Sequence, residues 1–206
     1  MKIQRTNGYH LATPWFNLWM ATVLILSLAL FIDLFSAPLS LSVWHDWAAY
    51  TARLSFMFFL AAYTASPLYA LSQNRVFLFL RQNRRNAGIS FALAHTIHLV
   101  ALSLYLLILD EPVSRVTLVV GLGAYAAMFA MWATSSDAAI RKLGPVLWRR
   151  LHKFGVHYLA FVFVFIYTSA QFSPVAPPFM LPTLIWLAIL LRMSVTFRQY
   201  RESKSS

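Results

Sequence analysis

The sequence predicts an all-α integral membrane protein, a bundle of six transmembrane helices with both termini cytoplasmic. Hydrophobic residues make up 60% of the 206 residues and charged residues only 11%, with a mean hydropathy of +0.63. A soluble domain contains about 25% charged residues. The apolar residues form six separate runs, each near the length of about 20 residues that crosses a bilayer as a helix. The basic residues lie almost entirely between those runs, as in membrane proteins.

The six runs define the predicted spans in chain order. They cover residues 15–37, 47–71, 87–109, 116–134, 147–172 and 178–197. The first run is longer than the apolar region of a secretory signal, about 7–15 residues, so we expect it to be a span. We therefore expect residues 1–206 to form a single transmembrane domain.

Lysine and arginine are distributed unevenly between the two ends of the predicted spans. Fourteen lie on one side, and only Arg115 lies at the opposite ends: Lys2, Arg5, Arg75, Arg81, Arg84, Arg85, Arg141, Lys142, Arg149, Arg150, Lys153, Arg198, Arg201 and Lys204. Basic loops stay in the cytoplasm, so this asymmetry predicts cytoplasmic termini. It also accounts for the net charge of +11 without a nucleic-acid partner, because the basic residues form no continuous stripe.

Two absences narrow the chemistry that the chain can carry. It contains no cysteine, which excludes disulfides, thiolate metal sites and iron–sulfur clusters within it. It also contains no glycine-rich nucleotide loop, so we expect no NAD, FAD or ATP site.

Four histidines fall in two of the apolar runs. His95 and His98 lie in the third predicted span, and His152 and His157 lie in the fifth. A polar group in hydrocarbon costs several kcal/mol unless it is satisfied, so these residues need a partner. Histidines on neighbouring membrane helices are the usual ligands of a b-type heme. His95 and His98 share a helix face, whereas His152 and His157 are separated by about 140° around the helix axis.

The depth of each histidine gives one prediction of the ligand pair. We measure depth from the last arginine before each span, at 1.5 Å per residue. On this measure His95 and His157 lie about 15 and 10 Å deep, and His98 and His152 about 20 and 3 Å. Two axial ligands of one heme need similar depths. Depth therefore favours His95 with His157.

Short motifs around these spans give another prediction. They comprise Arg84-Arg85-Asn86-Ala87-Gly88 ten residues before His98, Leu143-Gly144 followed by Trp148-Arg149-Arg150-Leu151-His152, and Ala65-Ser66-Pro67-Leu68 at the end of the second span. In this order they resemble the ferric reductase-like transmembrane domain family over about residues 40–172. That family includes the heme-binding membrane subunit of the periplasmic methionine sulfoxide reductase system.

This resemblance implies that His98 and His152 are axial ligands of a b-type heme, and that the protein lies in a bacterial inner membrane. The chain departs from the family pattern at two positions. Phe165 replaces a further histidine of the fifth span, and Arg84 replaces one that precedes the third. We therefore expect one heme rather than two, and His95 or His157 remains an alternative ligand.

The predicted function is that of a heme b membrane electron-transfer subunit, an oxidoreductase component. A heme with two imidazole ligands passes single electrons. Because no nucleotide domain is present, we expect a quinol, and hence a bound quinone, or a separate flavoprotein as donor, and a separate redox partner as acceptor. Arg53, inside the second span, is a candidate for binding a heme propionate or another anion, or for pairing with Asp33; the alternative is that its side chain snorkels to the interface. Arg192 is expected to snorkel to the interface.

A second interpretation needs no cofactor. The chain is then a heme-free six-helix membrane transporter or an assembly scaffold, whose histidines bond only within the bundle. Its partners are membrane lipids, and the basic loops serve only to orient the spans.

Overall fold

The computed structural model describes residues 41–109, 113–172 and 177–205, and these residues form helices with no strand among them. The elements in chain order are α1 (Leu41–Leu71), α2 (Arg75–Gln82), α3 (Arg84–Leu109), α4 (Arg115–Ala133), α5 (Asp137–Leu143), α6 (Pro145–Ser169), a 3-10 turn (Ala170–Phe172) and α7 (Met180–Ser205). The prediction of an all-helical chain is confirmed for the described residues.

Five of the described segments are long and apolar enough to cross a bilayer. They are Trp44–Leu71, Arg84–Ile108, Arg115–Ala133, Pro145–Phe172 and Met180–Ser205. They correspond to the second to sixth predicted spans and indicate a multi-pass integral membrane protein. The first predicted span, 15–37, lies outside the described residues.

Local chemistry explains where several helices begin. The side chains of Asn74, Ser114 and Ser136 each accept a hydrogen bond from the third residue of the helix that follows, which satisfies one of its free N–H groups. Gly144 has a φ of 78°, a left-handed conformation that glycine adopts without a steric penalty. Pro145 then opens α6, where its missing N–H would have had no helical partner.

The chain divides into two compact units. Among the described residues, the first contains residues 41–56 and 93–109, and the second contains residues 57–92, 113–172 and 177–205. In the first unit, α1 and α3 build a core of buried and partly buried apolar residues: Trp44, Trp47, Ala48, Ile97, Ala101 and Leu104. The Trp44 and Trp47 rings meet edge to face at a centroid distance of 5.9 Å.

Phe59 is the centre of an aromatic core in the second unit. Its ring is 2% exposed and lies 4.9 Å from the Phe163 ring and 5.4 Å from the rings of both Phe91 and Tyr63. Such pairs each add about 0.5–1.5 kcal/mol beyond the burial of their surface. This cluster joins α1, α3 and α6. Helix α6 also packs against α4 and α7.

Small residues allow α4 and α6 to approach closely. A Cβ atom on Gly123 would lie 2.5 Å from the Tyr158 hydroxyl, and one on Gly155 would lie 2.6 Å from the Met131 sulfur. The Tyr158 hydroxyl also donates a hydrogen bond of 3.2 Å to the carbonyl of Val120. Tyr158 thus occupies the space that Gly123 leaves open.

We expect Gly123→Ala to lower the free energy of unfolding by about 1–3 kcal/mol, because the new methyl group displaces the Tyr158 ring and breaks its hydrogen bond. Thermal unfolding in detergent measures the change. Gly121→Ala is the matched control on the same helix, since nothing lies within 4 Å of its Cβ position. An equal loss of stability in both variants would contradict the close contact at Gly123.

Candidate functional site

His95 and His98 lie together in the first unit, on α3. Their ring centroids are 5.2 Å apart, as their three-residue spacing predicts. His95 is buried, with 9% of its surface exposed, and His98 is half-buried. Their hydrogen-bond partners come from the first four turns of α1.

His95 is held by the hydroxyl group of Ser55. The Nδ1 atom of His95 lies 2.9 Å from the Ser55 oxygen, and the same hydroxyl donates to the carbonyl of Ala52 at 2.8 Å. A serine hydroxyl has one proton, so its oxygen accepts from the ring and Nδ1 is the protonated nitrogen. The lone pair of the neutral ring is then on Nε2.

His98 has the same tautomer for a similar reason. Its Nδ1 lies 3.0 Å from the carbonyl oxygen of Ala48, which can only accept a hydrogen bond. Thr51 adds a second oxygen at 3.3 Å, while its own proton is directed to the carbonyls of Trp47 and Ala48. Metal-ligating histidines usually donate their second ring N–H to a carbonyl or carboxylate in this way.

His157 lies in the second unit, on α6, and is exposed on its helix. Its Nδ1 atom donates to the carbonyl of Lys153, one turn earlier, at 2.6 Å. Its ring meets the edge of Tyr63 with the centroids 6.2 Å apart. Nε2 again bears the lone pair.

His152 is also on α6, but it has the opposite tautomer. Its Nε2 lies 3.1 Å from the Thr134 hydroxyl, whose proton is donated to the carbonyl of Ala130 at 2.7 Å. Nε2 therefore carries the proton, and the lone pair is on Nδ1. The Trp148 ring covers His152 at a centroid distance of 4.4 Å, and its N–H donates to the carbonyl of Thr134.

The two positions that depart from the family pattern have structural roles. Arg84 donates a hydrogen bond of 3.2 Å to the hydroxyl of Ser66 on α1. Phe165 is half-buried and stacks on Phe161 with the centroids 6.5 Å apart. In the described part of the chain, no three histidine or acidic side chains converge into a candidate metal site.

Arg53 is half-buried on α1, and its guanidinium lies 5.5 Å from the centroid of the Tyr50 ring. This cation–π contact stabilises the positive charge of the guanidinium in part. Asp33, its predicted ionic partner, lies outside the described residues. The role of Arg53 towards a heme propionate or another anion stays a prediction.

No protein-family model matches the chain, and no solved structure matches it. The resemblance to the ferric reductase-like family thus depends on the motif residues, and membership stays a prediction. The two candidate ligand pairs also stay predictions: His98 with His152, which the motif favours, and His95 with His157, which depth favours.

The hydroxyl partners of the histidines were not predicted from the sequence. Thr51 and Ser55 are both buried in α1, with 1% and 0% of their surface exposed, and Thr134 caps the end of α4. The sequence contains a pattern that could have identified Thr51 and Ser55. They are one helical turn apart within an apolar run, where hydroxyl groups need partners.

Arg192 is the other polar residue whose role was not predicted. It was expected to snorkel, but its Nη1 donates to the carbonyl of Tyr63 at 2.9 Å, and its guanidinium lies 4.6 Å over the Tyr63 ring. Pro67 explains the contact. Proline has no N–H, so the carbonyl four residues earlier, that of Tyr63, loses its helical donor. Arg192 supplies the missing donor.

Proposed function

We propose that this protein binds one heme b and transfers single electrons in the membrane, with axial ligands drawn from the histidines of α3 and α6. The observation that supports the proposal is the fixed orientation of all four rings. Each donates one N–H to an oxygen of the protein and leaves the other nitrogen with a lone pair. This is the arrangement of metal-ligating histidines, in which the outer hydrogen bond sets the tautomer.

The donor chemistry fits heme iron. A neutral imidazole nitrogen on a transmembrane helix would be a suitable ligand for heme iron. His98 is supported both by the family motif and by its bond to a backbone carbonyl. His152 is supported by the motif and presents Nδ1 rather than Nε2 in this arrangement. His95 and His157 remain the alternative that depth favours.

A bound heme supplies one-electron chemistry, and the protein's own residues supply the surroundings. The hydrogen bonds from the ring N–H groups orient the imidazoles and increase their basicity as ligands. Thr51 and Ser55 accept hydrogen bonds from His98 and His95 at buried positions, so water does not compete for these bonds. The apolar helices keep the histidines in a medium of low dielectric, which influences the potential of a bound redox group.

We further propose that the chain has six spans with both termini in the cytoplasm of a bacterial cell, in its inner membrane. The five apolar helices and the concentration of basic residues at one side support this topology. Because the sequence contains no nucleotide-binding loop, we expect the donor to be a quinol or a separate flavoprotein. The acceptor is a separate redox partner.

An absorption spectrum of the purified protein, expressed with an added heme supply, tests the proposal. We expect a Soret band that shifts on reduction with dithionite, and about one heme per chain by the pyridine hemochrome assay. Protein that stays colourless after incubation with hemin would contradict the proposal. That result would favour a heme-free transporter or scaffold.

A further inference from the structure

Three arginine side chains meet the last turns of α1 in the second unit. We call them the arginine cluster: Arg192 on the carbonyl of Tyr63 at 2.9 Å, Arg84 on the hydroxyl of Ser66 at 3.2 Å, and Arg81 over the ring of Tyr69 at 4.9 Å. They come from three different helices, α7, α3 and α2. The fold therefore brings Arg192 to the same helix end as Arg81 and Arg84, which are neighbours in the sequence but lie far from it.

The three anchors follow each other along one side of α1. They are three residues apart, so neighbouring anchors share a helix face, and together they extend over about 9 Å of the helix axis. Arg84 and Arg192 donate to Ser66 and Tyr63, whose positions are on neighbouring turns of this face. The fold thus places several positive charges at one end of α1.

No acidic side chain neutralises the cluster within the described residues. The neighbouring arginines differ in this respect. Arg85 pairs with Asp137 at 2.7 Å, and Arg198 pairs with Glu202 at 2.8 Å. A guanidinium has five N–H donors, and Arg84 and Arg192 each direct one of them to a protein oxygen. The remaining donors can bind an anion with several oxygen atoms.

We propose that the arginine cluster binds the phosphate group of an anionic membrane lipid. Guanidinium and phosphate match in charge and in paired hydrogen-bond geometry, and basic pockets between transmembrane helices are known sites for such head groups. Arg81 and Arg84 are exposed and Arg192 is half-buried, so the site opens at the protein surface.

Lipid binding by the full-length protein in detergent tests this site. The probes are dioleoyl phosphatidylglycerol and, as the zwitterionic reference, dioleoyl phosphatidylcholine, with bound lipid measured by native mass spectrometry. The variant is Arg81→Gln with Arg84→Gln, because both side chains are exposed and their removal leaves the Arg192 contact with α1 intact. The matched control is Arg85→Gln with Arg198→Gln, which removes two paired arginines.

We expect phosphatidylglycerol to bind about thirtyfold more weakly to the cluster variant, since each basic residue near an anionic lipid contributes roughly a factor of five in affinity. The control variant should change by less than about threefold, because its arginines are already paired. Equal losses in both variants would overturn the proposal, as would equal binding of the two lipids to the unaltered protein.

A third result would also overturn the proposal that the arginine cluster binds a lipid phosphate. If the cluster variant loses heme but retains phosphatidylglycerol, the cluster holds a carboxylate of the cofactor instead of a lipid phosphate. Bound lipid and the Soret band are separate measurements. Colourless protein that selects phosphatidylglycerol through the cluster would refute the heme proposal and support the lipid site.

Discussion

Replacement of His98 or His152 by alanine is expected to reduce the heme bound after purification to less than about a tenth of the unaltered level. Removal of a residue that hydrogen-bonds to a metal ligand typically lowers the affinity for the metal by about 10–100-fold. We expect the loss of a ligand itself to lower the affinity at least as much. The measurement is the reducible Soret absorbance per protein, with the pyridine hemochrome assay as a check. Both residues already have one ring nitrogen fixed by the protein.

The control is His45→Ala, since His45 is half-buried near the start of α1, where its ring interacts with Asp46 and Tyr105. It should retain its heme. Loss of heme with His95→Ala and His157→Ala, but not with the other pair, would contradict the motif and support the prediction from depth. Far-ultraviolet circular dichroism of each variant separates loss of a ligand from loss of the fold.

Arg192→Met is expected to lower the free energy of unfolding by about 2–4 kcal/mol, because it leaves the Tyr63 carbonyl without a donor in an apolar environment. The cation–π contact with the Tyr63 ring is lost as well. Thermal or denaturant unfolding in detergent measures the effect. Arg198→Met is the control, since Arg198 is exposed and pairs with Glu202; we expect a change within about 0.5 kcal/mol.

A second substitution tests the cause of that loss. Pro67→Ala supplies an N–H four residues after Tyr63, which can donate to the same carbonyl within α1. In a protein that already carries Pro67→Ala, Arg192→Met should therefore cost at least about 1 kcal/mol less than it does alone. Strict additivity of the two changes would mean that Arg192 does not act through the Tyr63 carbonyl.

Hydropathy predicted the five described spans well, but it predicted their ends less well. The last span was expected to cover residues 178–197, whereas α7 covers Met180–Ser205. Hydropathy measures which residues are stable in hydrocarbon, and a helix continues into water as long as its backbone hydrogen bonds are made. For the same reason α2 and α5, short and without buried residues, were treated as parts of loops.

The histidines illustrate the limit for the candidate site. Their presence in apolar runs is a property of the sequence, and it is sufficient to identify them as groups that need partners. Their tautomers depend on which oxygen lies opposite each ring. Ser55 is 40 residues from His95, and Ala48 is 50 residues from His98, so only the packing of α1 against α3 defines these partners.

The sequence by itself determined that this chain is a helical membrane protein and which polar residues lie inside its spans, because transfer into hydrocarbon depends on the composition of each segment alone. Only the tertiary structure decided what those polar residues contact. Arg192 is 129 residues from Tyr63 and was expected at the interface, yet it satisfies the carbonyl that Pro67 leaves free. A hydrogen bond requires a donor and an acceptor at a suitable distance and angle, and the composition of a segment does not specify which groups come that close.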